Sequence, residues 1–290
     1  MDWPRAKTIL IICFFAGNLI LGHQLWIDQR GTPLLVEVLK RSEDESVALA
    51  DQLEQLGLEL KEDLPSDSPR MYALALSRRE PEVEALRNAL FPPDEGEPVI
   101  IGGRLSGHQT DDAVLVIGAS GAVRFQQTHL PRGMGLSPEE ATSLSNAFLS
   151  DRRLGPPGME FDYLSRIESD QFIAFYYQKY REWPIYGGGI TVRLQGDQVR
   201  GYQHLWYNAL GYTGRARDVI SASRAILANI QRISAASGDE RAAIVEVSLG
   251  YYAGMSSEQQ WVADPVWRIR MENGVLVFIN AYTGAIEWPL

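Results

Sequence analysis

The sequence predicts an α+β protein in which one N-terminal transmembrane helix precedes an extracytoplasmic ectodomain of helices packed on antiparallel sheets. Three observations predict this class. An apolar run without Asp, Glu, Lys or Arg extends from Thr8 to Leu25. Helix-capping patterns beginning at Ser42 and Ser137 each precede an apolar stripe. Apolar segments separated by glycine-containing turns occupy much of the remainder, as is typical of antiparallel hairpins.

The apolar run is long enough to cross a membrane. A helix rises about 1.5 Å per residue, so roughly 18 residues span a hydrocarbon core of about 30 Å. Arg5 and Lys7 precede the run, and positive flanks stay on the cytoplasmic side. We therefore expect residues 1–7 to be cytoplasmic, residues 8–26 to form the transmembrane anchor, and residues 27–33 to form a connector to an extracytoplasmic C-terminal domain.

Two other kinds of segment also contain apolar runs. A cleaved signal peptide ends in a small-x-small site, whereas this run ends in Gly22-His-Gln-Leu-Trp26. A buried core helix normally has a polar face, and this run has none. An uncleaved anchor is therefore the prediction, and a signal peptide and a core helix are its alternatives.

One face of the predicted anchor is suited to a partner helix. The residues that fall near this face at helical spacing are Thr8, Ile11, Phe15, Asn18 and Gly22. An amide in hydrocarbon is costly without a partner, so Asn18 is expected to face another helix. Gly22 allows close backbone approach. The alternative is that Asn18 satisfies its hydrogen bonds locally.

Charge and cysteine content restrict the classes of partner and chemistry. The chain has 290 residues and a net charge of -10. An acidic ectodomain argues against nucleic acid or anionic lipid as its partner. The single cysteine, Cys13, lies inside the apolar run. The ectodomain therefore has neither a disulfide nor thiolate chemistry.

Residues 34–130 are predicted to form an N-terminal part of the ectodomain. Ser42 to Glu45 is a capping box, and Gly57 is suited to end that helix. A second helix begins near Pro81. The predicted strands of this part are Met71–Leu76, Val99–Ile101, Val114–Ile117 and Val123–Gln127.

The C-terminal half is predicted to repeat one plan of a helix followed by strands, over residues 136–208 and again over residues 217–290. The first helix has a capping box from Ser137 to Glu140. The residues expected on its buried face are Leu144, Ala147 and Phe148. The strands expected after it are Glu160–Ile167, Gln171–Tyr180, Ile190–Gln195 and Gln198–Trp206, with Gly196-Asp197 as a type II′ turn.

The second copy is expected to begin with a helix capped by Asp218. Val266–Met271 is predicted to be a half-buried strand, and Asn273-Gly274 a hairpin turn, since both residues tolerate positive φ. The last strand, 275–280, is apolar on both faces and is therefore predicted to be central in its sheet.

The first residues carry a family resemblance. The pattern Met1-Asp-Trp-x-Arg-x-Lys-Thr-Ile9, followed at once by the apolar run, resembles the start of the YycI family. These are membrane-anchored regulators of the essential YycG (WalK) sensor kinase in Gram-positive bacteria. The resemblance implies that the chain binds a YycG/WalK-type histidine kinase and a YycH-like protein, affects cell-wall homeostasis, and needs no cofactor.

The closing segment carries a second resemblance. Trp267 to Glu287, with its Thr283-Gly284 turn, is similar to the end of a PepSY-type unit, and Ile190–Trp206 is similar to the matching hairpin. Such units occur in protease propeptides and in extracytoplasmic regulators. They imply an alternative function, as an inhibitor or folding chaperone of a secreted peptidase. The alternative for the fold is an ordinary α+β meander.

No catalytic, cofactor or metal-binding motif is found in the sequence. The four histidines show no metal-ligand spacing; they are His23, His108, His129 and His204, and we expect His108 and His129 in loops and His204 in a strand. Gly187-Gly-Gly189 lacks the Lys-Ser/Thr and helix of a phosphate loop and is interpreted as a turn. We therefore expect no enzyme activity, and a membrane-attached hydrolase is a third candidate with no motif in its favour.

Aromatic residues are concentrated between Phe172 and Tyr186. Packing in the core of a sheet is one explanation. The other is an exposed surface that binds a partner, because Tyr and Trp are favoured at interfaces. The residues proposed for such a surface are Tyr176, Tyr180, Trp183 and Tyr186.

Overall fold

The computed structural model describes residues 42–93, 95–101, 104–128, 135–238, 243–254, 256 and 258–287. The chain divides into two units, Met1–Gln52 and Leu53–Leu290. The described part of the first unit belongs to helix α1, Ser42–Gln55. Within the described ranges no helix has the length and apolar character needed to cross a membrane, and the predicted anchor lies outside those ranges.

The second unit is a mixed α+β fold. After the end of α1, its described helices are α2 (Val83–Leu90), α3 (Pro138–Asp151) and α4 (Ala222–Ser237). Its described strands are β1 (Glu59–Leu60), β2 (Arg70–Arg78), β3 (Glu97–Ile101), β4 (Arg104–Gln109), β5 (Ala113–Ile117), β6 (Val123–Gln127), β7 (Met159–Glu168), β8 (Gln171–Tyr180), β9 (Trp183–Gln195), β10 (Gln198–Leu205), β11 (Tyr207–Asp218), β12 (Ala243–Tyr252), β13 (Gln260–Ala263), β14 (Pro265–Met271) and β15 (Leu276–Asn280).

The described strands form one large and one small sheet. The twelve-stranded sheet has the order β15-β14-β12-β9-β10-β6-β5-β4-β3, with β8 and β7 continuing from β9 and β1 beside β12. Its pairs are antiparallel except β1–β12 and β12–β9, which are parallel. The small sheet has the order β11-β2-β13 and is antiparallel. The predicted α+β class with antiparallel sheets is therefore confirmed.

Strand β9 changes its neighbour along its length. Ile185 and Tyr186 pair with β12, whereas residues 189–195 pair with β10, and β8 lies on the other side of both stretches. The three glycines of residues 187–189 lie at the change, so their interpretation as a turn was wrong. A Cβ on Gly189 would lie 2.2 Å from the carbonyl oxygen of Tyr176. Glycine is required here because neighbouring backbone approaches too closely for any side chain.

Helix ends follow the sequence signals in two places. Ser137 caps α3: its hydroxyl accepts from the Glu140 N–H at 3.2 Å, and the Glu140 carboxylate accepts from the Ser137 N–H at 2.8 Å. Gly57, at φ 65°, ends α1, and the next residue, Leu58, donates to the Leu53 carbonyl at 2.9 Å. Both predicted signals are confirmed because they act within one turn of the chain.

The predicted cap of α4 was wrong. Asp218 is the last residue of β11, and the N-cap is Ser221, whose hydroxyl accepts from the Arg224 N–H at 3.2 Å. Asp218 instead pairs with Arg70 of β2 at 3.2 Å. Sheet pairing extends the strand past the residue that local sequence favours as a cap.

The buried face of α3 is displaced from the predicted one, since its buried residues are Ala141, Ser145 and Leu149. Leu144 and Phe148 are partly buried against the core, as expected, but Ala147 is exposed. Ser145 is fully buried instead, because its hydroxyl lies 2.7 Å from the Tyr176 hydroxyl. A polar residue therefore lies at the centre of the buried face, where the apolar pattern does not predict one.

The two predicted hairpin turns both exist. Gly196 has φ 55° and links β9 to β10 with Asp197, whose φ is not positive, as a type II′ turn requires. Gly274 has φ 87°, and its N–H donates to the Met271 carbonyl at 3.0 Å. Asn273 does not adopt positive φ, so its proposed role there was wrong.

Strand β15 lies at one end of the strand order and is not central. Its free edge is covered by the chain that follows: Ile286 forms a bridge with Ile279, and the Glu287 N–H donates to the Phe278 carbonyl at 2.9 Å. The outer edge of β15 is therefore covered, although the strand has only one full partner.

Strands β1, β4, β11 and β13 were not predicted. β4 contains His108, which was expected in a loop, and β11 occupies the stretch between the two predicted repeats. Each repeat contains a helix followed by an antiparallel meander: α3 precedes β7-β8-β9-β10, and α4 precedes β12-β14-β15. Superposition of the two as PepSY-like units stays a prediction.

Candidate functional site

The predicted anchor residues lie outside the described residues. They are the topology residues Arg5 and Lys7 and the partner face Thr8, Ile11, Phe15, Asn18 and Gly22. Their roles stay predictions. The residues predicted in the ectodomain can be placed.

Two of the four aromatic residues predicted to form a partner surface are buried. Tyr176 is 3% exposed and Tyr186 is 4% exposed. The Tyr176 hydroxyl donates to Asn146 Oδ1 at 2.8 Å, and the Tyr186 hydroxyl lies 2.9 Å from that of Ser248. Their part in an exposed surface was therefore wrong, because alternation along β8 and the pairing of β9 with β12 direct them inward.

Tyr180 and Trp183 are partly exposed, and Tyr180 belongs to a surface group of aromatic residues. Its ring meets that of Tyr212 edge-on at 5.5 Å, and Tyr212 stacks on Tyr72 at 5.8 Å. The guanidinium of Arg181 lies 5.0 Å from the Tyr212 ring centroid. We call Tyr72, Tyr180, Arg181 and Tyr212 the tyrosine–arginine patch. Tyr and Arg are the residue types enriched at the centres of interfaces.

A buried arginine lies between the two predicted repeats. Arg268 of β14 is 3% exposed. Its Nη1 donates to Asp162 Oδ2 at 2.5 Å, and its Nη2 donates to Asp162 Oδ1 at 2.9 Å and to Glu246 Oε1 at 2.5 Å. The guanidinium also lies 4.4 Å from the ring centroid of Tyr186. Bidentate hydrogen bonding of this kind is the strongest form of arginine–carboxylate contact.

A second arginine extends this ionic cluster toward the surface. Arg270 donates to Glu246 Oε2 at 3.0 Å, and its guanidinium lies 4.7 Å from the Tyr163 ring. Burial opposes the charge on Arg268, but its hydrogen bonds to Asp162 raise its pKa above the ordinary value. Burial likewise opposes ionisation of Glu246, but Arg268 holds the pKa of that carboxyl below its usual range. The two charges therefore persist at neutral pH.

His204 is a partly buried residue whose ring nitrogens are shielded from solvent. Both ring nitrogens lack a hydrogen-bond partner among the described residues. The ring lies edge-on to Tyr202 at 6.0 Å and to Trp206 at 5.7 Å. Burial lowers its pKa to about 4, and Arg79 contributes in the same direction. His204 is therefore neutral in the folded protein at neutral pH.

We expect His204 to reduce stability in acid. The pKa of His204 is about 4 in the folded protein and 6.5 when the side chain is exposed, so the unfolded state binds a proton more readily. The stability that comes from keeping His204 neutral is therefore complete above pH 6.5 and is lost as the pH falls toward 4. The shift corresponds to about 3 kcal/mol. Denaturant unfolding of the wild type and His204→Leu between pH 7 and pH 4 measures this. The variant should lose less stability than the wild type, and equal losses would contradict the expectation.

Comparison with known proteins identifies a family and several solved structures that resemble this chain, two of which are described here. The family model described as the YycI protein matches residues 37–282. An uncharacterized protein from Eubacterium rectale has a TM-score of 0.49 at 10% identity, over 81% of this chain and 91% of that one. The C-terminal domain of Bacillus megaterium YpeB has a TM-score of 0.38 at 14% identity, over 71% and 93%. No curated protein matches the chain.

Proposed function

Since this chain belongs to the YycI family, we propose that it acts as an extracytoplasmic regulator of a YycFG-type two-component system from a single-pass membrane anchor. The family match over residues 37–282 carries the proposal. The N-terminus is cytoplasmic in this proposal, because Arg5 and Lys7 precede the apolar run. No substrate or cofactor enters the function.

The finer proposal is that the chain binds a YycG/WalK-type histidine kinase together with a YycH-like protein. A bound regulator shifts a kinase between states only by the difference in its affinity for those states. Regulation therefore requires contacts that exist in one kinase state and are weaker in the other. The anchor helix and the ectodomain each supply candidates for such contacts.

In the ectodomain, the tyrosine–arginine patch is the candidate that we favour. Tyr72 is 43% exposed, and Arg181 is exposed beside it. Arg181 adopts φ 54°, a conformation that costs a non-glycine residue about 1–2 kcal/mol.

The ionic cluster of Arg268, Asp162 and Glu246 joins the strands of the two predicted repeats, which supports transmission of a contact through a rigid scaffold.

The anchor is tested by one substitution and a matched control. Replacing Asn18 by leucine removes the amide that is proposed to hydrogen-bond across to a partner helix. We expect association to weaken by about 0.5–2 kcal/mol, or up to roughly thirtyfold. Co-purification of the kinase and the YycH-like protein from solubilised membranes measures association, and expression of a gene under the response regulator measures output.

Leu19→Ala is the control, because Leu19 lies off the proposed face and should affect neither measurement. If Asn18→Leu leaves both association and kinase output unchanged, the anchor is only a tether and the ectodomain must carry the coupling. Equal losses in Asn18→Leu and Leu19→Ala would indicate disturbed membrane insertion and would contradict a specific face.

A further inference from the structure

The large sheet has a polar outer face opposite helix α3. Strands β6, β10 and β9 lie side by side there, and the register aligns Gln126, Gly201 and Arg193 in one row. The next row outward along the strands contains Arg124 and Gln203. Neighbouring strands are about 4.8 Å apart, so side chains from β6 and β9 flank β10 on this face.

A cleft of about 300 Å³ lies on this face. Its polar lining includes three arginines and three glutamines, which are Arg124, Arg193, Arg200, Gln126, Gln171 and Gln203. The volume is in the range of small-ligand sites. No carboxylate is among its lining residues. The cleft is thus a local concentration of positive charge on a chain whose net charge is -10.

Two of the three arginines are free to bind an anion. Arg124 and Arg193 are exposed, and neither has an ion-pair partner within the part of the chain that the structure describes. Arg200 is partly buried and donates to Gln195 Oε1 at 2.8 Å, which holds its side chain beside the cleft. The cleft thus brings together two guanidinium groups without ionic partners in the described ranges and a third that is held beside them.

Gly201 shapes the floor of the cleft. It lies between Gln126 and Arg193 in the sheet, and its φ is not positive, so backbone conformation does not require glycine there. A Cβ at this position would lie 3.2 Å from the Phe125 carbonyl oxygen and 3.9 Å from Arg193 Cβ. The missing side chain leaves space between the flanking polar groups.

A second cavity of about 540 Å³ continues from the first. Arg124 and Gln203 line both cavities, and Thr191 lines the second. The Thr191 hydroxyl is buried without a hydrogen-bond partner among the described residues. Buried polar atoms normally have a partner, so the Thr191 hydroxyl is an unsatisfied polar group beside the second cavity.

We propose that this cleft binds the phosphate group of a phosphate ester. Guanidinium groups donate paired hydrogen bonds to phosphate oxygens. Two unpaired ones with a third positive charge beside them suit a multiply charged anion better than a single carboxylate. Ile173 and Ile167, which is 55% exposed, line the same cleft. They offer apolar contact to the ester carbon atoms. The site goes beyond the proposed function, and none of its lining residues belongs to the tyrosine–arginine patch or to the anchor.

The test measures binding of glycerol 1-phosphate and of inorganic phosphate to the full chain in a neutral detergent, by calorimetry. The variants are Arg193→Gln and Arg193→Lys, and the control is Arg232→Gln, an exposed arginine of helix α4. We expect saturable binding of glycerol 1-phosphate, tighter than that of inorganic phosphate. Arg193→Gln should weaken it at least tenfold, Arg193→Lys less, and Arg232→Gln less than twofold.

A second arm distinguishes a soluble phosphate ester from a lipid headgroup. Phosphatidylglycerol is added to the micelles, with phosphatidylcholine as the comparison. Competition by phosphatidylglycerol alone supports a headgroup as the source, and unchanged binding supports a soluble ester. The proposal is overturned if glycerol 1-phosphate does not bind saturably, or if Arg193→Gln and Arg232→Gln affect binding equally. Unchanged far-UV circular dichroism of Arg193→Gln excludes loss of folding as the cause of a weaker signal.

Discussion

Replacing Arg268 by leucine is expected to lower the free energy of unfolding by about 3–5 kcal/mol. The guanidinium is 3% exposed and binds both Asp162 and Glu246. Its removal leaves two carboxylates together in a partly buried site, where Arg270 is the one remaining cationic partner among the described residues. Removing one partner of a buried ion pair costs more than the pair contributes, because the remaining charge stays desolvated. Denaturant unfolding at pH 7 measures the loss.

Two further variants separate this cause from lost packing. Arg232→Leu, on the exposed surface of α4, should change stability by less than about 0.5 kcal/mol. Adding Asp162→Leu and Glu246→Leu to Arg268→Leu should recover much of the lost stability, since an apolar replacement of a whole buried ionic cluster is often neutral. If the triple variant is less stable than Arg268→Leu by a further several kcal/mol, uncompensated charge is not the cause.

Gly189→Ala is expected to destabilise the protein by about 3 kcal/mol or more. The residue has φ 120°, where side chains are strained, and a Cβ would lie 2.2 Å from the Tyr176 carbonyl oxygen. Backbone cannot move aside without breaking the pairing of β8 with β9. A thermal unfolding series measures the effect as a lowered Tm.

Gly211→Ala is the matched control for this substitution. Gly211 has φ 129°, close to that of Gly189, but a Cβ there would meet nothing within 4 Å. The control therefore includes the conformational cost of about 1–3 kcal/mol without the collision. Gly189→Ala should be clearly the less stable of the two variants. Equal stability would show that the close approach of β8 to β9 adds no cost to a side chain at position 189.

Local chemistry made some elements predictable from the sequence. The boundaries of β8, the capping box at Ser137 and the helix stop at Gly57 depend on residues within a few positions of one another. Strands β4 and β11 have polar or glycine-interrupted sequences. They are extended because they pair with neighbouring strands, not because of their own sequence pattern. At Gly107 of β4, for example, a Cβ would lie 1.9 Å from the Leu115 carbonyl oxygen. Such a requirement is visible only once the neighbouring strand is in place.

The candidate sites were less predictable than the elements. Tyr180 was identified from local aromatic content, but Tyr72 and Tyr212 reach it from strands distant in sequence. Arg268 was expected in a half-buried strand on the basis of alternation, and both faces of that strand are buried. The sequence does place two arginines on one strand and Glu246 on another. These residues indicate an ionic cluster only when the pairing of the two strands is known. The family match begins at residue 37, beyond the opening motif on which the resemblance was first based.

The change of neighbours along β9 has a consequence for cooperativity. Because Ile185 and Tyr186 pair with β12 while residues 189–195 pair with β10, one continuous strand contributes hydrogen bonds to both of the predicted repeats. Neither repeat can separate without exposing an unpaired edge, and exposed edges promote aggregation. The repeats are thus interdependent in folding: a fragment cut between them is an incomplete sheet, and melting of one half withdraws support from the other.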